Sequence, residues 1–296
     1  MNFLKKHKKI VIISSVLLVI LITLIILMFT LFSLKNVEVK MQTEFLNITE
    51  TMQEEIKAEI QTGGTVFFKN KDEVIKNIEK KYPYAKVINI ETVIPNKFVI
   101  HLAERQEIYS ISSAGKEYIL DNELKILKIV SSKSDEISLN LFGLEFDLSS
   151  ATEGSFLNLA DIKVANNEKV ANIGEQAGAI LYELVNSYQI NNRTIVDFKQ
   201  MCKKLTFGTY EDYKTGETAV YLKIVDGNAF EIKILSPLEN MTSKVSKMLS
   251  AYSDVLSNSP SKMNTHTMTV YTNSNNQDQV LLEEKKLNLQ KNLLML

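Results

Sequence analysis

Three short segments of the sequence carry residue types that perform acyl transfer in some enzymes. Ser113-Ala114-Gly115-Lys116 places a serine three residues before a lysine, and Ser138-Leu139-Asn140 and Lys214-Thr215-Gly216 follow it in chain order. In such enzymes the serine is the nucleophile that attacks a carbonyl carbon, and the lysine lies beside it. These segments are the strongest catalytic candidate in the sequence.

The local context of the three segments argues against that chemistry. The serine of penicillin-binding serine acyl-transferases opens a helix, whereas Ser113 to Lys116 is predicted to form a glycine turn between two strands. Lys214-Thr215-Gly216 is likewise predicted to be a turn before a strand. Since segments of three or four letters match by chance, we keep the acyl-transferase as the alternative and predict a non-enzymatic protein.

Other kinds of site have weaker support. The sequence contains no phosphate-binding glycine loop, no H-E-x-x-H helix and no CxxC pair. Cys202, the only cysteine, is expected to be a small buried hydrophobic residue and not a nucleophile. The three histidines, His7, His101 and His266, lack metal-ligand spacing. We therefore predict no catalytic residue, no metal, no cofactor and no small-molecule substrate.

Residues 10–32 form an apolar segment without a charged side chain. As a helix it is long enough to cross a hydrocarbon core of about 30 Å. Four lysines precede the segment, Lys5, Lys6, Lys8 and Lys9. Only Lys35 and Lys40 follow it closely, so the positive-inside rule predicts a cytoplasmic N-terminus and an extracytoplasmic remainder. Because no A-x-A-like cleavage site follows, an uncleaved signal anchor is predicted.

The sequence has 34 Lys and Arg against 35 Asp and Glu. Four of the lysines precede the apolar segment, so the part of the chain after that segment is net acidic. This charge balance argues against nucleic acid as a partner, because phosphate neutralisation needs a basic surface.

A compact module of about seventy residues is predicted directly after the membrane segment. Its strands are predicted from alternating apolar residues at 37–41, 88–91 and 98–102. Its two helices are predicted from capping-box patterns, Asn47 with Glu50 and Asn70 with Glu73. The order is strand, helix, helix, strand, strand, which is an α+β arrangement.

This module resembles the POTRA domain of the FtsQ/DivIB family of bacterial cell-division proteins. The resemblance rests on Pro83, on the segment 94–102 with its Pro95-Asn96 turn and alternating strand, and on Glu104-Arg105 at its end. Gly115-Lys116-Glu117-Tyr118-Ile119-Leu120-Asp121 is similar to a further family segment. Ile94 stands where the family has tryptophan, and Glu123 stands where it usually has glycine.

The remaining chain is predicted to be a mixed β-rich domain with two long helices. An amphipathic helix is expected over 168–188, a hairpin over 218–224 and 229–235, and a second helix that Ser236-Pro237-Leu238-Glu239 begins. The methionines of this second helix are expected to lie in the core. Residues 142–165 have mixed signals and receive no strand assignment. The predicted boundaries are 1–9 for a cytoplasmic head, 10–32 for the transmembrane helix, 35–105 for the POTRA domain, 106–283 for the β domain and 284–296 for a C-terminal tail.

The resemblance implies a bitopic scaffold at the division septum that binds FtsL-type and FtsB/DivIC-type proteins and so organises septal cell-wall synthesis. We expect the partners at the exposed edge of the C-terminal sheet, where another chain can add a strand. The predicted partner-binding residues are Thr267, Met268, Thr269, Val270, Tyr271, Val280, Leu281 and Leu282.

Three alternatives accompany this prediction. Glu104 and Arg105 are expected to fix how the first module meets the second, although a catalytic acid with its electrostatic partner is the other interpretation. A POTRA-bearing component of protein export is a further candidate function, but the sequence lacks the repeated modules that it would need. The tail is either unfolded or a short partner-binding helix.

Overall fold

The computed structural model describes residues 8–42, 47–61, 64–131, 139–164, 173–212 and 215–285. The chain divides into two compact units, Met1–Arg105 and Gln106–Leu296. The predicted α+β class, with one N-terminal apolar helix and a β-rich second part, is confirmed.

The first helix, α1, spans Lys8–Leu31. Within the described residues it is the one helix long and apolar enough to cross a membrane, over Ile12–Leu31. These 20 residues correspond to about 30 Å at about 1.5 Å per residue, which matches the thickness of a hydrocarbon core. The hydroxyl of Thr23 donates to the carbonyl of Val19, so its polar atom is satisfied within the helix.

The first unit continues in the predicted order of strand, helix, helix, strand, strand. Its elements are β1 (Asn36–Met41), α2 (Glu50–Gln61), α3 (Lys71–Lys81), β2 (Ala85–Val93) and β3 (Lys97–Glu104). In the described part, β3 is the central strand of a three-stranded sheet, parallel to β1 and antiparallel to β2. The helices bury Ile56, Ile60, Val74 and Ile78 in one core with Phe98, Ile100 and Leu102 of β3.

Of the two helix starts predicted for this unit, one is confirmed and one is wrong. Asn70 caps α3 as predicted, since its side chain accepts from the N–H groups of Asp72 and Glu73. The capping box predicted at Asn47 is wrong. Helix α2 begins at Glu50, and the hydroxyl of Thr49 accepts from the N–H of Met52.

A break in register changes the predicted alternation of β2. The pairing with β3 shifts between Val87 and Asn89, which is the signature of a β-bulge. Consequently Val87 is buried, and Ile88, predicted to face inward, is exposed.

The described residues of the second unit include nine strands that form one sheet. They are β4 (Tyr109–Ser113), β5 (Lys116–Leu120), β6 (Ile126–Val130), β7 (Leu139–Phe142), β10 (Lys204–Glu211), β11 (Thr218–Val225), β12 (Glu231–Leu235), β13 (His266–Thr272) and β14 (Asp278–Glu284). Their order in the sheet is β14-β13-β12-β11-β10-β7-β4-β5-β6. A separate short ribbon pairs β8 (Leu144–Glu145) with β9 (Lys163–Val164). Within 142–165, this ribbon and a 3-10 turn at Leu159–Asp161 are elements without a sequence assignment.

Helices α4 (Ile173–Ile190) and α6 (Met241–Asn258) contribute to one core with the sheet. The buried residues of this core include Ile180, Leu184, Tyr188, Val245, Met248, Leu222, Ile232, Met268 and Val270. Met241 and Met248 are buried, as the core interpretation of the methionines predicts. The start predicted for α6 is too early, because Asn240 takes a left-handed conformation before Met241 and Leu238 is exposed.

Three further elements of the second unit have no counterpart in the sequence predictions. Helix α5 (Ile195–Met201) begins with a complete capping box, in which Thr194 and Asp197 satisfy each other's backbone N–H groups. Strand β10 follows α5 directly, and a short helix α7 (Lys262–Thr265) precedes β13.

Candidate partner-binding strand edge

The predicted edge residues Thr267, Met268, Thr269, Val270 and Tyr271 all lie in β13, which has strands on both sides. β13 pairs in parallel with β12 and antiparallel with β14. Its backbone hydrogen-bonding groups are therefore used within the sheet. The prediction that these five residues form an open edge is wrong, because β14 covers them.

The predicted residues Val280, Leu281 and Leu282 lie in β14, which is the outer strand of the described sheet. Val280 and Leu282 are half-buried and pack against the core of the second unit. Leu281 points to the opposite face and keeps 43% of its surface exposed. In the described part of the chain, β14 thus has a neighbouring strand on one side only.

The direction of the free backbone groups follows from the register of β13 with β14. The N–H of Lys285 donates to the carbonyl of Thr265 over 2.6 Å, and the N–H of Asn273 donates to the carbonyl of Gln277 over 2.9 Å. The pairs Thr265–Lys285 and Asn273–Gln277 continue the register of β13 with β14 at its two ends, and all four residues have odd numbers. Since hydrogen-bonded and non-hydrogen-bonded pairs alternate in an antiparallel ladder, the even-numbered residues direct their N–H and C=O groups away from β13. These residues are Asp278, Val280, Leu282 and Glu284.

Side-chain bonds hold β14 against β13 on its inner side. The hydroxyl of Thr272 donates to Asp278 over 2.8 Å, and the hydroxyl of Tyr271 donates to Gln279 over 3.1 Å. Lys285 Nζ also donates to the carbonyl of Ala229 over 3.2 Å. A fixed strand with outward backbone groups is a template on which a further strand can form.

The edge strand is acidic at both ends, which the sequence analysis does not identify. Asp278, Glu283 and Glu284 belong to it, together with the half-buried Val280 and Leu282. The exposed Leu281 interrupts the alternation of apolar and polar residues, so the strand signal is weak. The sequence signal that could identify this strand is the pair of polar residues, Gln279 and Glu283, on either side of the apolar Val280-Leu281-Leu282.

Glu104 and Arg105 have partners within the first unit. The Oε1 atom of Glu104 accepts from the backbone N–H and the side-chain amide of Asn47, over 3.1 and 2.6 Å. Arg105 Nη2 donates to Glu79 Oε2 over 2.9 Å. These contacts fasten the end of β3 to other parts of its own unit. The predicted role of the two residues between the modules stays a prediction.

The candidate acyl-transferase residues have the turn context that the sequence predicts. Ser113 and Lys116 lie opposite each other at the ends of β4 and β5, joined by a turn in which Ala114 and Gly115 have positive φ. Ser113 therefore does not open a helix. Gly216 lies in a turn between β10 and β11, where its N–H donates to the carbonyl of Asp212. Ser138 and Lys214 lie outside the described residues.

Cys202 is buried where α5 ends, in the core of the second unit. Burial is the main reason that the pKa of its thiol lies far above the ordinary value, and this favours the unreactive protonated form. Tyr252 packs against the same core, and its hydroxyl donates to the carboxylate of Asp226 over 2.7 Å. Among the described residues, no group of three or more acidic, histidine or cysteine side chains is arranged to hold a metal ion.

Comparison with known proteins adds evidence from outside the structure. Residues 32–105 match the family model described as a POTRA domain of the FtsQ type. The chain is 27% identical over 198 residues to the cell division protein DivIB of Clostridium botulinum strain Hall, which covers 66% of this chain and 72% of the relative. The POTRA match and the similarity to DivIB support the FtsQ/DivIB family for this chain.

Further DivIB proteins give shorter alignments. The DivIB of Clostridium botulinum strain Loch Maree is 29% identical over 166 residues, which are 55% of this chain and 62% of the relative. The DivIB of Clostridium tetani strain Massachusetts is 35% identical over 98 residues, which are 33% of this chain and 35% of the relative. These last two alignments span less than two thirds of the relative. The comparisons thus support a cell-division protein with a POTRA domain, and its described residues include one candidate membrane helix.

Proposed function

We propose that this FtsQ/DivIB protein is a non-enzymatic, single-pass scaffold of the division machinery. Helix α1 crosses the membrane with the N-terminus in the cytoplasm, and the POTRA domain and the second unit lie outside at the division septum. The lysines before the helix support this orientation through the positive-inside rule. The scaffold binds FtsL-type and FtsB/DivIC-type bitopic proteins and thereby organises septal cell-wall synthesis.

The observation that carries the proposal is the outer strand β14. Its even-numbered residues direct backbone N–H and C=O groups to the open side, while its inner side is fixed by β13. A partner segment in extended conformation can complete this edge, because main-chain hydrogen bonds supply affinity and alternate side chains supply specificity. The acidic ends of the strand favour a partner segment with basic residues near its own ends.

The domain boundaries enter the proposal as well. We assign the POTRA domain to 35–105, the partner-binding β domain to 106–283 and the tail to 284–296, of which 286–296 lie outside the described residues. Glu104 and Arg105 act at the junction by holding the end of β3 in a defined position, through Asn47 and Glu79.

A fluorescent fusion and a purification test this function together. The full chain carrying an N-terminal fluorescent protein is expected to form a midcell band in dividing cells. FtsL-type and FtsB/DivIC-type proteins are expected to co-purify with it from detergent-solubilised membranes. A uniform distribution around the envelope, with neither partner recovered, would contradict the proposal.

A further inference from the structure

The loop Gly64–Lys69 of the first unit is fastened to the end of the membrane helix. The N–H of Leu34 donates to the carbonyl of Gly64 over 3.1 Å, and the N–H of Val66 donates to the carbonyl of Phe32 over 2.9 Å. Val66 is buried in the core of the first unit. The loop is therefore held beside the last turn of α1 by its own backbone.

Two phenylalanines of this loop remain exposed although they contact aromatic rings at the end of the helix. Phe68 stacks on Phe29 with ring centroids 6.5 Å apart, and the ring of Phe67 lies 5.0 Å from the ring of Phe32. Phe67 keeps 48% of its surface exposed and Phe68 keeps 68%. Adjacent exposed apolar side chains of this size indicate a surface that contacts another molecule or a membrane.

A second loop brings another exposed apolar residue to the same end of the unit. The carbonyl of Asn96 accepts from the N–H groups of Lys35 and Asn36, over 3.0 and 3.2 Å. Ile94, two residues before Asn96, is 65% exposed. The turn between β2 and β3 therefore also lies directly next to the residues that follow the membrane helix.

The position of Phe29 indicates what surrounds these side chains. Phe29 belongs to the apolar span Ile12–Leu31 and is itself exposed. It lies two residues before the end of the helix, which is about 3 Å along the helix axis. Since that span is about as long as a hydrocarbon core is thick, Phe29 lies at the boundary between acyl chains and headgroups. A ring that stacks on Phe29 lies at a similar depth.

We propose that Phe67, Phe68 and Ile94 form a lipid-contacting surface with which the POTRA domain enters the leaflet where α1 ends. The occupant is the bilayer, because the surface continues the lipid-exposed side of the helix. Phe67 and Phe68 contribute apolar rings, and the exposed Lys35 lies where lipid phosphates are found. The two loops tie the first unit to the membrane at points beside the helix. This inference requires α1 to be inserted in the membrane but does not depend on the proposed division partners.

Tryptophan fluorescence tests the inference, because the natural chain contains no tryptophan. The full chain with Phe68→Trp is reconstituted in phosphatidylcholine and phosphatidylglycerol nanodiscs, at one copy per disc, with or without brominated acyl chains. Ile88→Trp is the matched control, because Ile88 is an exposed apolar residue of the same unit in the middle of β2. Leu21→Trp reports on whether α1 is inserted.

The expected result for the Phe68→Trp protein is strong quenching of its emission by brominated lipid and little quenching by aqueous iodide. The Ile88→Trp protein is expected to respond to iodide and not to brominated lipid, and the Leu21→Trp protein to brominated lipid alone. If Leu21→Trp is quenched by brominated lipid but Phe68→Trp is quenched only by iodide, the inference is overturned. Shielding of Phe68→Trp from both quenchers would also overturn it, in favour of a protein contact.

Discussion

Glu79 and Arg105 form an ion pair that joins helix α3 to the last residue of the first unit, with Arg105 Nη2 2.9 Å from Glu79 Oε2. The Arg105 side chain is 3% exposed and that of Glu79 is 15% exposed. The other carboxylate oxygen of Glu79 accepts from the N–H of Val87 over 2.9 Å. One carboxylate therefore connects α3, β2 and the residue that follows β3.

We predict that Arg105→Ala destabilises the first unit by about 3 kcal/mol, because it removes the guanidinium that faces the largely buried carboxylate of Glu79. Hydrogen exchange of the full chain in detergent micelles measures this as roughly 100-fold faster exchange of the protected amides in α3 and β2. Lys81→Ala is the control, because the Lys81–Glu59 pair is exposed and should matter little. Unchanged exchange in Arg105→Ala would show that the pair contributes nothing.

Gly174 and Gly178 supply a prediction for the second unit. A Cβ on Gly174 would lie 1.6 Å from the backbone carbonyl oxygen of Leu159, whereas the nearest atoms to one on Gly178 are side-chain methyl groups of the same leucine, the first at 3.2 Å. Gly174→Ala is therefore expected to lower the free energy of unfolding by about 2 kcal/mol or more. In Gly178→Ala, a gain of up to about 1 kcal/mol in helix propensity is offset by the tight contact with the Leu159 methyl group, so the free energy of unfolding should change little. Thermal unfolding of the two variants checks this, and equal melting temperatures would refute the close backbone contact.

The elements predicted correctly are those with strong local signals. Asn70 caps α3 because its side chain reaches two free N–H groups within three residues, and the apolar run before Phe32 can only be satisfied in a membrane or a core. The turn at Ser113 to Lys116 is predicted from its glycine, and Gly115 has a positive φ. Short-range chemistry decides each of these features.

The errors arise where contacts distant in sequence decide the outcome. β13 is an inner strand because β12 and β14 both pair with it, and the chain between β12 and β13 runs through helix α6. Asn47 carries a capping pattern, but its side chain bonds to Glu104 of β3 instead. Ser236-Pro237-Leu238-Glu239 has the composition of a helix start, but the Ser236 hydroxyl hydrogen-bonds with the hydroxyl of Tyr210 in β10, and helix α6 begins only after Asn240. Local composition cannot reveal these competing partners.

The pH dependence of the stability of the second unit follows from two buried groups, Cys202 and Tyr188, and the half-buried Tyr252. Burial is the largest cause that raises the pKa values of Cys202, Tyr188 and Tyr252 above their ordinary values of 9.0 for the thiol and 10.0 for the phenols. The unfolded chain releases these protons at lower pH than the folded chain, so stability is retained below about pH 9 and falls as the pH rises further. The melting temperature measured between about pH 7 and pH 11 should decline above about pH 9.

Cys202→Ala is the informative variant for this pH dependence. Without the thiol, the decline should begin about one pH unit higher, where the tyrosines of the unfolded chain ionise. A melting temperature of the natural chain that rises or stays constant over the whole range would contradict the burial of these groups.

The membrane orientation can be tested by labelling introduced cysteines, because the natural Cys202 should react little. Because Cys202 is buried and protonated, the natural chain should react poorly with maleimide. Ser274→Cys, in the exposed turn between β13 and β14, should be labelled in intact cells by a maleimide that does not cross membranes. Asn2→Cys should be labelled only after the cells are permeabilised. Labelling of Asn2→Cys in intact cells would reverse the proposed orientation.

Proline at Leu282 tests the proposed use of the β14 edge most directly, with alanine as its matched control. Both variants lose the Leu282 side chain, but only proline removes the outward N–H and places a ring where a partner strand would pair. Glu284→Pro and Glu284→Ala repeat the comparison at an exposed position. Resistance of the second unit to limited proteolysis confirms that each variant is folded.

The measurement is the recovery of FtsL-type and FtsB/DivIC-type proteins that co-purify with the full chain from solubilised membranes. The alanine variants should retain both partners, and each proline variant should reduce recovery about tenfold or more, as expected when a main-chain hydrogen bond is lost and a clash is added. Equal recovery with the folded proline and alanine variants would contradict partner binding by strand addition at β14.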